Sequence, residues 1–378
     1  MTVPATKTGA KMDAKMDTAT DARTAPVLVW QMLENMSKEE LLEWRRSEPK
    51  NRASIKERNL DIGYPYGWYP AMLSSDLKIG EVKPLRYFST DLVIWRGEDG
   101  GVRMLDAYCR HLGAHMGYGG KVTGNNIECP FHSWQYNGEG VVETIPYATR
   151  IPPQVKRPCE KQWHVTEANR WIWFWYHPKG ADPMWEVEHV KEATDPEWTD
   201  YDIFEWDVWG SLQNMAENGV DAAHFKYIHG AADMPDYDFD WGTGDHRRGA
   251  RLFLNLGTPK GMVKGEIAYR NIGPGQSYTR FTGICETLLV ACITPIDEDH
   301  AVSRFCFTQP KAQKEGPAGG AARAIIKDIC KQFDQDKVVW DRQKYLPNAL
   351  VCDGDGPIGK FRSWYKQFYV EDGAGSAE

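Results

Sequence analysis

No stretch of the 378-residue sequence approaches the roughly 18 apolar residues that span a bilayer. Its apolar runs, such as Leu288 to Ile293, are strand-sized. Positive charge is also short: 45 Lys and Arg stand against 53 Asp and Glu, for a net charge of -8. That excludes a basic, phosphate-seeking face and argues against a nucleic-acid partner. Cysteine is sparse, with eight residues scattered from Cys109 to Cys352, so a disulfide scaffold is excluded and most thiols are expected reduced and buried. The first residues lack the apolar core of a secretory signal, and their lysines alternate with Asp13, Asp17 and Asp21, unlike a transit peptide. Residues 1–26 read as a disordered leader on a cytoplasmic protein. No Gly-rich dinucleotide fingerprint follows a strand, which argues against a nicotinamide-binding domain in this sequence.

What is present is enough chain for two domains with real cores. Residues 27–63 carry apolar positions at helical spacing, with Ser37 and Glu40 as a capping box, and are expected as a helical extension. From 64 to 178 short β-rich pieces alternate with Gly and Pro, predicting an all-β domain. Within it Trp171, Trp173 and Trp175 share one strand face and Ile172 and Phe174 the other, predicting burial on both sides. Residues 178–183 read as a linker. Residues 184–370 mix strands at 251–256, 286–293 and 302–308 with helices at 214–228 and 321–345, giving an α+β domain. Residues 310–320 are expected as a solvent loop and 371–378 as a flexible tail.

Two short motifs carry the first chemistry. Cys109 and His111 form CxH, and after 17 intervening residues Cys129 and His132 form CxxH. Zinc also accepts two Cys and two His, but its knuckles pair like with like at wider spacing. A Rieske [2Fe-2S] centre puts two thiolates on one iron and two imidazoles on the other, so each loop must deliver one of each. Both loops do. Gly113, Gly117, Gly119 and Gly120 in the first and Pro130 and Gly138 in the second suit tight turns. His115, in the first loop, reads as a packing residue.

The second constellation lies in NMAENGVDAAHFKYIHG. Asp221 and His224 are three apart, about 60° on a helix, while His229 lies about 140° beyond His224. The two imidazoles can meet on one metal only if the helix ends, and Gly230 is the candidate terminator. Taken alone, two His and an Asp on a helix are ordinarily a core histidine and a surface pair. Beside an electron-carrying cluster they read as part of the two-His, one-carboxylate triad that holds non-heme Fe(II) open to O2. Asp221 has two candidate roles, orienting a ligand His or bridging toward a cluster His. For the third ligand the helix QFDQDKVVWDRQKY offers Asp334, Asp336 and Asp341. Phe333 and Trp340 flank Asp336 on one face, as core or as pocket lining, whereas Asp334 and Asp341 are expected solvated.

From Tyr66 to Tyr369 the sequence resembles the oxygenase component of the Rieske non-heme iron oxygenases. The resemblance is carried by GWYPAM, CRHLGAHMGYGG, CPFHSWQYNGEG, NGVDAAHFKYIH and QDKVVW. DAYCRHLGAHM and WYKQFYVEDG make it most similar to the steroid-active branch of 3-ketosteroid 9α-hydroxylases and cholesterol 7-desaturases. It implies a Rieske domain followed by a catalytic domain of the helix-grip, START-like type. It places the cluster on Cys109, His111, Cys129 and His132, and the mononuclear iron on His224, His229 and Asp336. It gives Asp221 the bridging role and makes Phe333 and Trp340 substrate-binding residues. It further implies a homotrimer fed by an NAD(P)H reductase, directly or through a ferredoxin, and oxidation of an apolar substrate by O2. Ser133 departs from the family, which often has Gly there. Three functions compete: hydroxylation of a steroid, desaturation or attack on another polycyclic or aromatic substrate by the same iron, and a pure electron carrier or zinc-stabilised binding module.

Overall fold

The computed structural model of the chain describes residues 32–370, apart from 61, 232–233, 243–244 and 259–260. The expected leader at 1–26 and tail at 371–378 lie outside the described residues. The chain divides into two compact units, the second beginning at Arg46. Helix α1 (Lys38–Arg46), all but its last residue in the first unit, starts on the expected capping box: Glu40 N donates to Ser37 Oγ (3.2 Å) and Ser37 N to Glu40 Oε2 (2.8 Å). The second opens with α2 (Ile55–Arg58).

Small antiparallel sheets follow. Strands β1 (Gly67–Leu73), β10 (Trp171–Tyr176) and β9 (Val165–Ala168) form one, in that order. Strands β2 (Val82–Tyr87), β3 (Thr90–Arg96) and β4 (Val102–Asp106) form a second. Strands β5 (Lys121–Thr123), β6 (Asn126–Glu128), β7 (Gln135–Tyr136) and β8 (Val142–Thr144) form a third. The tryptophan strand β10 is buried on both faces as expected. Trp171, Trp173 and Trp175 enter a cluster with Trp68 and Val290, while Ile172 and Phe174 enter another with Tyr69 and Phe333. One core thus runs continuously from the small sheets into the region after the linker.

That region is a seven-stranded antiparallel sheet in the order β11 (Asp202–Val208), β17 (His300–Thr308), β16 (Thr287–Asp297), β15 (Gln276–Thr282), β14 (Gly261–Ile272), β13 (Arg247–Thr258), β12 (Asp236–Asp240). Between β11 and β12 lie α3 (Leu212–Glu217) and α4 (Ala223–Tyr227). After β17 come α5 (Lys311–Lys314), the long α6 (Gly319–Trp340) and α7 (Ile358–Tyr365). Helix α6 buries Ile326, Cys330, Phe333 and Trp340 in one cluster with Leu289, Ala291 and Phe307, so the sheet grips it. Among the described residues no helix is long and apolar enough to cross a membrane.

Three expectations need correction. The 310–320 segment is not one loop, because α5 and the start of α6 occupy it. Helix α6 stops at Trp340 rather than 345; Arg58 Nη2 donates to Trp340 O (3.1 Å) and its Nε to Gln343 O (3.1 Å), satisfying end carbonyls that a longer helix would have used itself. The helix expected at 214–228 is broken into α3, a 3-10 turn at Asn218–Val220, and α4. Asp221 sits in the break with extended backbone, so it shares no helix face with His224. Its side chain bonds the backbone instead, as short polar residues do at helix starts.

Candidate active site

The loop after β4 carries Cys109 and His111, and the loop between β6 and β7 carries Cys129 and His132. The two loops are built alike. Gly113 N donates to Cys109 O (2.9 Å) and Ser133 N donates to Cys129 O (3.0 Å), and both residues have left-handed backbone, φ +75° and +56°. Ser133 does what glycine does more cheaply, and the left-handed conformation costs a side-chain residue about 1 kcal/mol or more. Ser133→Gly is therefore expected to stabilise the protein by about 1 kcal/mol. A thermal midpoint that stays level or falls, at equal iron content, would contradict this.

Cys109 and Cys129 are buried and form no disulfide. The His111 and His132 rings lie 4.6 Å apart, and His111 stacks on Trp134 at 4.7 Å. Both Nδ1 atoms are buried without a hydrogen-bond partner, a costly state unless a metal takes their lone pairs. Tyr136, a residue the sequence did not single out, places its hydroxyl 3.1 Å from Cys109 Sγ. Burial pushes the Cys109 thiol up to about 11, and a bound iron would take the place of its proton. Two orphaned imidazole nitrogens and two unpaired thiols fit a [2Fe-2S] cluster. A single zinc ion fits poorly. Among the described residues only His224, His229 and Asp336 bring three such ligand atoms within 4.8 Å of one another, the closure that one ion demands.

That second group is assembled from three places. His224 lies in α4; the helix ends at Tyr227, and Gly230 (φ +75°) turns the chain so that His229 returns to the same centre, as the spacing required. Asp336 comes from α6. Its Oδ1 is 3.4 Å from His229 Nε2, and Asn218 Nδ2 reaches both Asp336 Oδ2 (3.1 Å) and His224 Nε2 (3.3 Å). Second bonds fix each imidazole. His224 Nδ1 is 2.7 Å from the backbone carbonyl of Asp221, and His229 Nδ1 is 2.9 Å from Gln335 Oε1, so each Nε2 is turned inward. Burial lowers the His224 pKa, keeping it neutral as a ligand must be. Burial also pulls on His229, but the hydrogen bond and charge of Asp336, with the Gln335 bond and the charge of Asp328, together raise it. The donor set of two imidazoles and one carboxylate fits non-heme iron.

Asp334 and Asp341, expected solvated, are buried and already engaged. Asp334 Oδ1 accepts from Trp206 Nε1 (2.7 Å), and Asp341 Oδ2 pairs with the fully buried Lys337 Nζ (2.7 Å). The Asp221 carboxylate accepts from Ala223 N (2.9 Å) and His224 N (3.3 Å), so it is the carbonyl, not the carboxylate, that orients His224. Asn218 and Gln335 went unnoticed in the sequence; the one signal was their position close to His224 and Asp336 along the chain.

Over this centre lies a cavity of about 260 Å³, walled mainly by apolar side chains such as Leu212, Met215, Phe281 and Phe305. Phe333 and Trp340 line it while also packing into the core.

Residues 174–369 match the 3-ketosteroid 9alpha-hydroxylase C-terminal domain family, and residues 67–156 match the Rieske [2Fe-2S] domain. The chain is a Rieske oxygenase of the 3-ketosteroid 9α-hydroxylase family. It is 32% identical over 343 residues to a 3-ketosteroid-9-alpha-monooxygenase oxygenase component of Rhodococcus rhodochrous, covering 86% of this chain and 85% of that protein. It is 30% identical over 334 residues to a cholesterol 7-desaturase of Xenopus laevis, covering 81% and 72%. In fold this Rieske oxygenase is similar to dicamba monooxygenase (TM-score 0.63, 18% identity, 80% of this chain and 96% of that one). It is also similar to the caffeine-bound NdmA variant of Pseudomonas putida (TM-score 0.64, 20% identity, 82% and 91%). A Rieske oxygenase carries a [2Fe-2S] cluster and a mononuclear iron, and the two donor sets described above are the sites in this chain that suit them.

Proposed function

We propose that this protein is the oxygenase component of a steroid monooxygenase, working in the cytoplasm as a homotrimer with an NAD(P)H reductase, directly or through a ferredoxin. The observation that carries this reading is the apolar cavity whose wall includes His224, His229 and Asp336. In it Cys109, His111, Cys129 and His132 would hold the cluster, and His224, His229 and Asp336 the iron. When bound, these groups supply single-electron transfer and O2 activation. The chain's own residues supply the setting. Apolar walls exclude water and seat a fused-ring skeleton, Phe333 and Trp340 press it from the α6 side, and Gln335 and the Asp221 carbonyl hold the outer imidazole protons.

Support for the assembly comes from the surface. Tyr108, Leu112, Tyr118, Phe131 and Tyr147 are exposed on or beside the cluster loops, an apolar rim suited to a second copy. Asp221 would bridge from its iron to the cluster of that neighbour. All eight cysteines are free, which fits a reducing compartment.

Mass spectrometry of products from a panel of 3-ketosteroids, sterols and monocyclic aromatics, with reductase supplied, tests the substrate class. Steroid products carrying one added oxygen are expected. Oxidation of an aromatic with no steroid turnover would defeat the reading. Products that have lost two hydrogens would instead favour desaturation, the reaction in the name of the Xenopus relative. Gln335→Leu, which frees the outer nitrogen of His229, is expected to weaken iron binding about 10- to 100-fold. Chelator competition checks this, and an unchanged affinity would remove Gln335 from the site.

A further inference from the structure

The cavity is not uniformly apolar, and its polarity has a direction. Arg248 on β13, Asn271 on β14 and Ser277 on β15 are cross-strand partners in register, and all three line the wall. Four residues along β13, the row Leu252, Ile267, Phe281 lines the same wall with hydrocarbon only. At about 3.3 Å per strand residue the two rows are about 13 Å apart, so the sheet wall of the cavity runs from a polar end to an apolar end.

Arg248 is the unusual member. Only 2% of it is exposed, and among the described residues no carboxylate lies within 4.0 Å of it. Among the described residues, its guanidinium makes one hydrogen bond, from Nη1 to Tyr269 Oη at 3.3 Å. The rings of Phe361, Trp364, Tyr269 and Trp241 surround the guanidinium at 4.6 to 5.9 Å. Aromatic faces hold a cation in place, but they do not neutralise it or accept its N–H groups in the way a carboxylate does. Nε remains buried with no partner, and so does Oδ1 of the neighbouring Asn271. A buried guanidinium without an anionic partner is costly and stays charged, since arginine does not give up its proton in proteins. Rotating the Asn271 amide would turn a second donor toward the same spot.

We propose that Arg248, helped by Asn271, is a specificity-determining anchor for a carboxylate on the substrate, so that this oxygenase takes an apolar fused-ring acid rather than a neutral steroid. The inference rests on the oxygenase reading above and narrows its substrate class. The acid would seat at the polar row, with its hydrocarbon lying toward Leu252, Ile267 and Phe281. Carboxylate and guanidinium would then satisfy each other in a dry site, where a charge-assisted bidentate pair is strongest.

The test compares a 3-ketosteroid bearing a side-chain carboxylic acid with the methyl ester of the same compound. Equilibrium binding to the metal-replete protein is followed by quenching of tryptophan fluorescence, and kcat/KM is measured with reductase present. The wild type is expected to favour the acid, and Arg248→Gln to lose that preference by a factor on the order of 30 or more, mostly through the acid's Kd and KM. Should Arg248→Gln fold poorly, Asn271→Leu is expected to lower the preference by a smaller factor with the guanidinium still in place. Equal binding of acid and ester by the wild type, or a preference that neither substitution alters, would overturn the anchor and leave Arg248 as an aromatic-held structural cation. Failure to oxidise any steroid would count against the monooxygenase reading, while the binding comparison would still decide the anchor.

Discussion

Asp336→Ala is expected to remove the mononuclear iron and at least about 10³-fold of product formation while leaving the [2Fe-2S] cluster intact. The carboxylate is the one anionic donor in its group; without it, two neutral imidazoles would be left to hold a divalent ion in a buried site, with neither charge nor geometry completed. Asn218 also loses the oxygen it holds at 3.1 Å, so the position between His224 and Asp336 slackens. Iron should fall by about one ion per chain at constant acid-labile sulfide and an unchanged cluster spectrum. Asp334→Ala is the control. It deletes the acceptor of Trp206 Nε1, which should cost about 1 to 3 kcal/mol of stability without loss of iron. If Asp336→Ala kept its iron and Asp334→Ala lost it, the ligand assignment would be wrong.

The contrast between these aspartates shows where the sequence is readable. The cluster motifs are legible because all four donors lie on two short loops, and local spacing alone fixes how each loop can present one thiol and one imidazole. The second centre is only half legible. His224 and His229 are five apart and need a chain reversal, which Gly230 signals. The carboxylate comes from α6, more than a hundred residues later, and three aspartates compete for it. Asp334 and Asp341 look solvated because their local neighbours are charged. Beyond the local pair of Asp341 with Lys337, they accept N–H groups of Trp206 and Trp209, 128 and 132 residues away, which no local pattern ties to them. The break at 218–222 is invisible for a related reason. Composition favours a continuous helix, but Gly219 packs so closely that a Cβ there would lie 3.1 Å from Arg248 Nη2 and 3.4 Å from the Tyr269 ring, both on strands formed later in the chain. Sheet order, the register that lines up Arg248 with Asn271, and the second bonds from Asn218 and Gln335 are all of this long-range kind.

The same break makes Asp221→Asn the most informative substitution. It is expected to retain cluster and iron and to lose at least about 10²-fold of the product formed per unit of NAD(P)H oxidised. Its Oδ1 accepts from Ala223 N and His224 N, and asparagine caps a helix start as well as aspartate does. The His224 proton is held by the Asp221 carbonyl, which the substitution does not touch. Local structure and iron should therefore survive. What changes is the other carboxylate oxygen, on a side chain that is one-third exposed. As an acceptor, it suits the outer N–H of a cluster histidine from a neighbouring copy; as an amide NH2 it would present donor to donor. Reduction of the cluster by the reductase should then be normal in stopped-flow absorbance, while its reoxidation with substrate and O2 present should slow. Mixing subunits separates bridging between copies from bridging within one. An Asp221→Asn subunit keeps a cluster but no bridge, and a Cys109→Ala subunit keeps a bridge and an iron but no cluster. Each should be inactive alone, and reassembled together they should regain activity, because the cluster of the first can reach the iron of the second through the intact Asp221. Mixed assemblies that stay inactive would confine electron transfer to one chain, and full activity in Asp221→Asn alone would remove the bridge altogether.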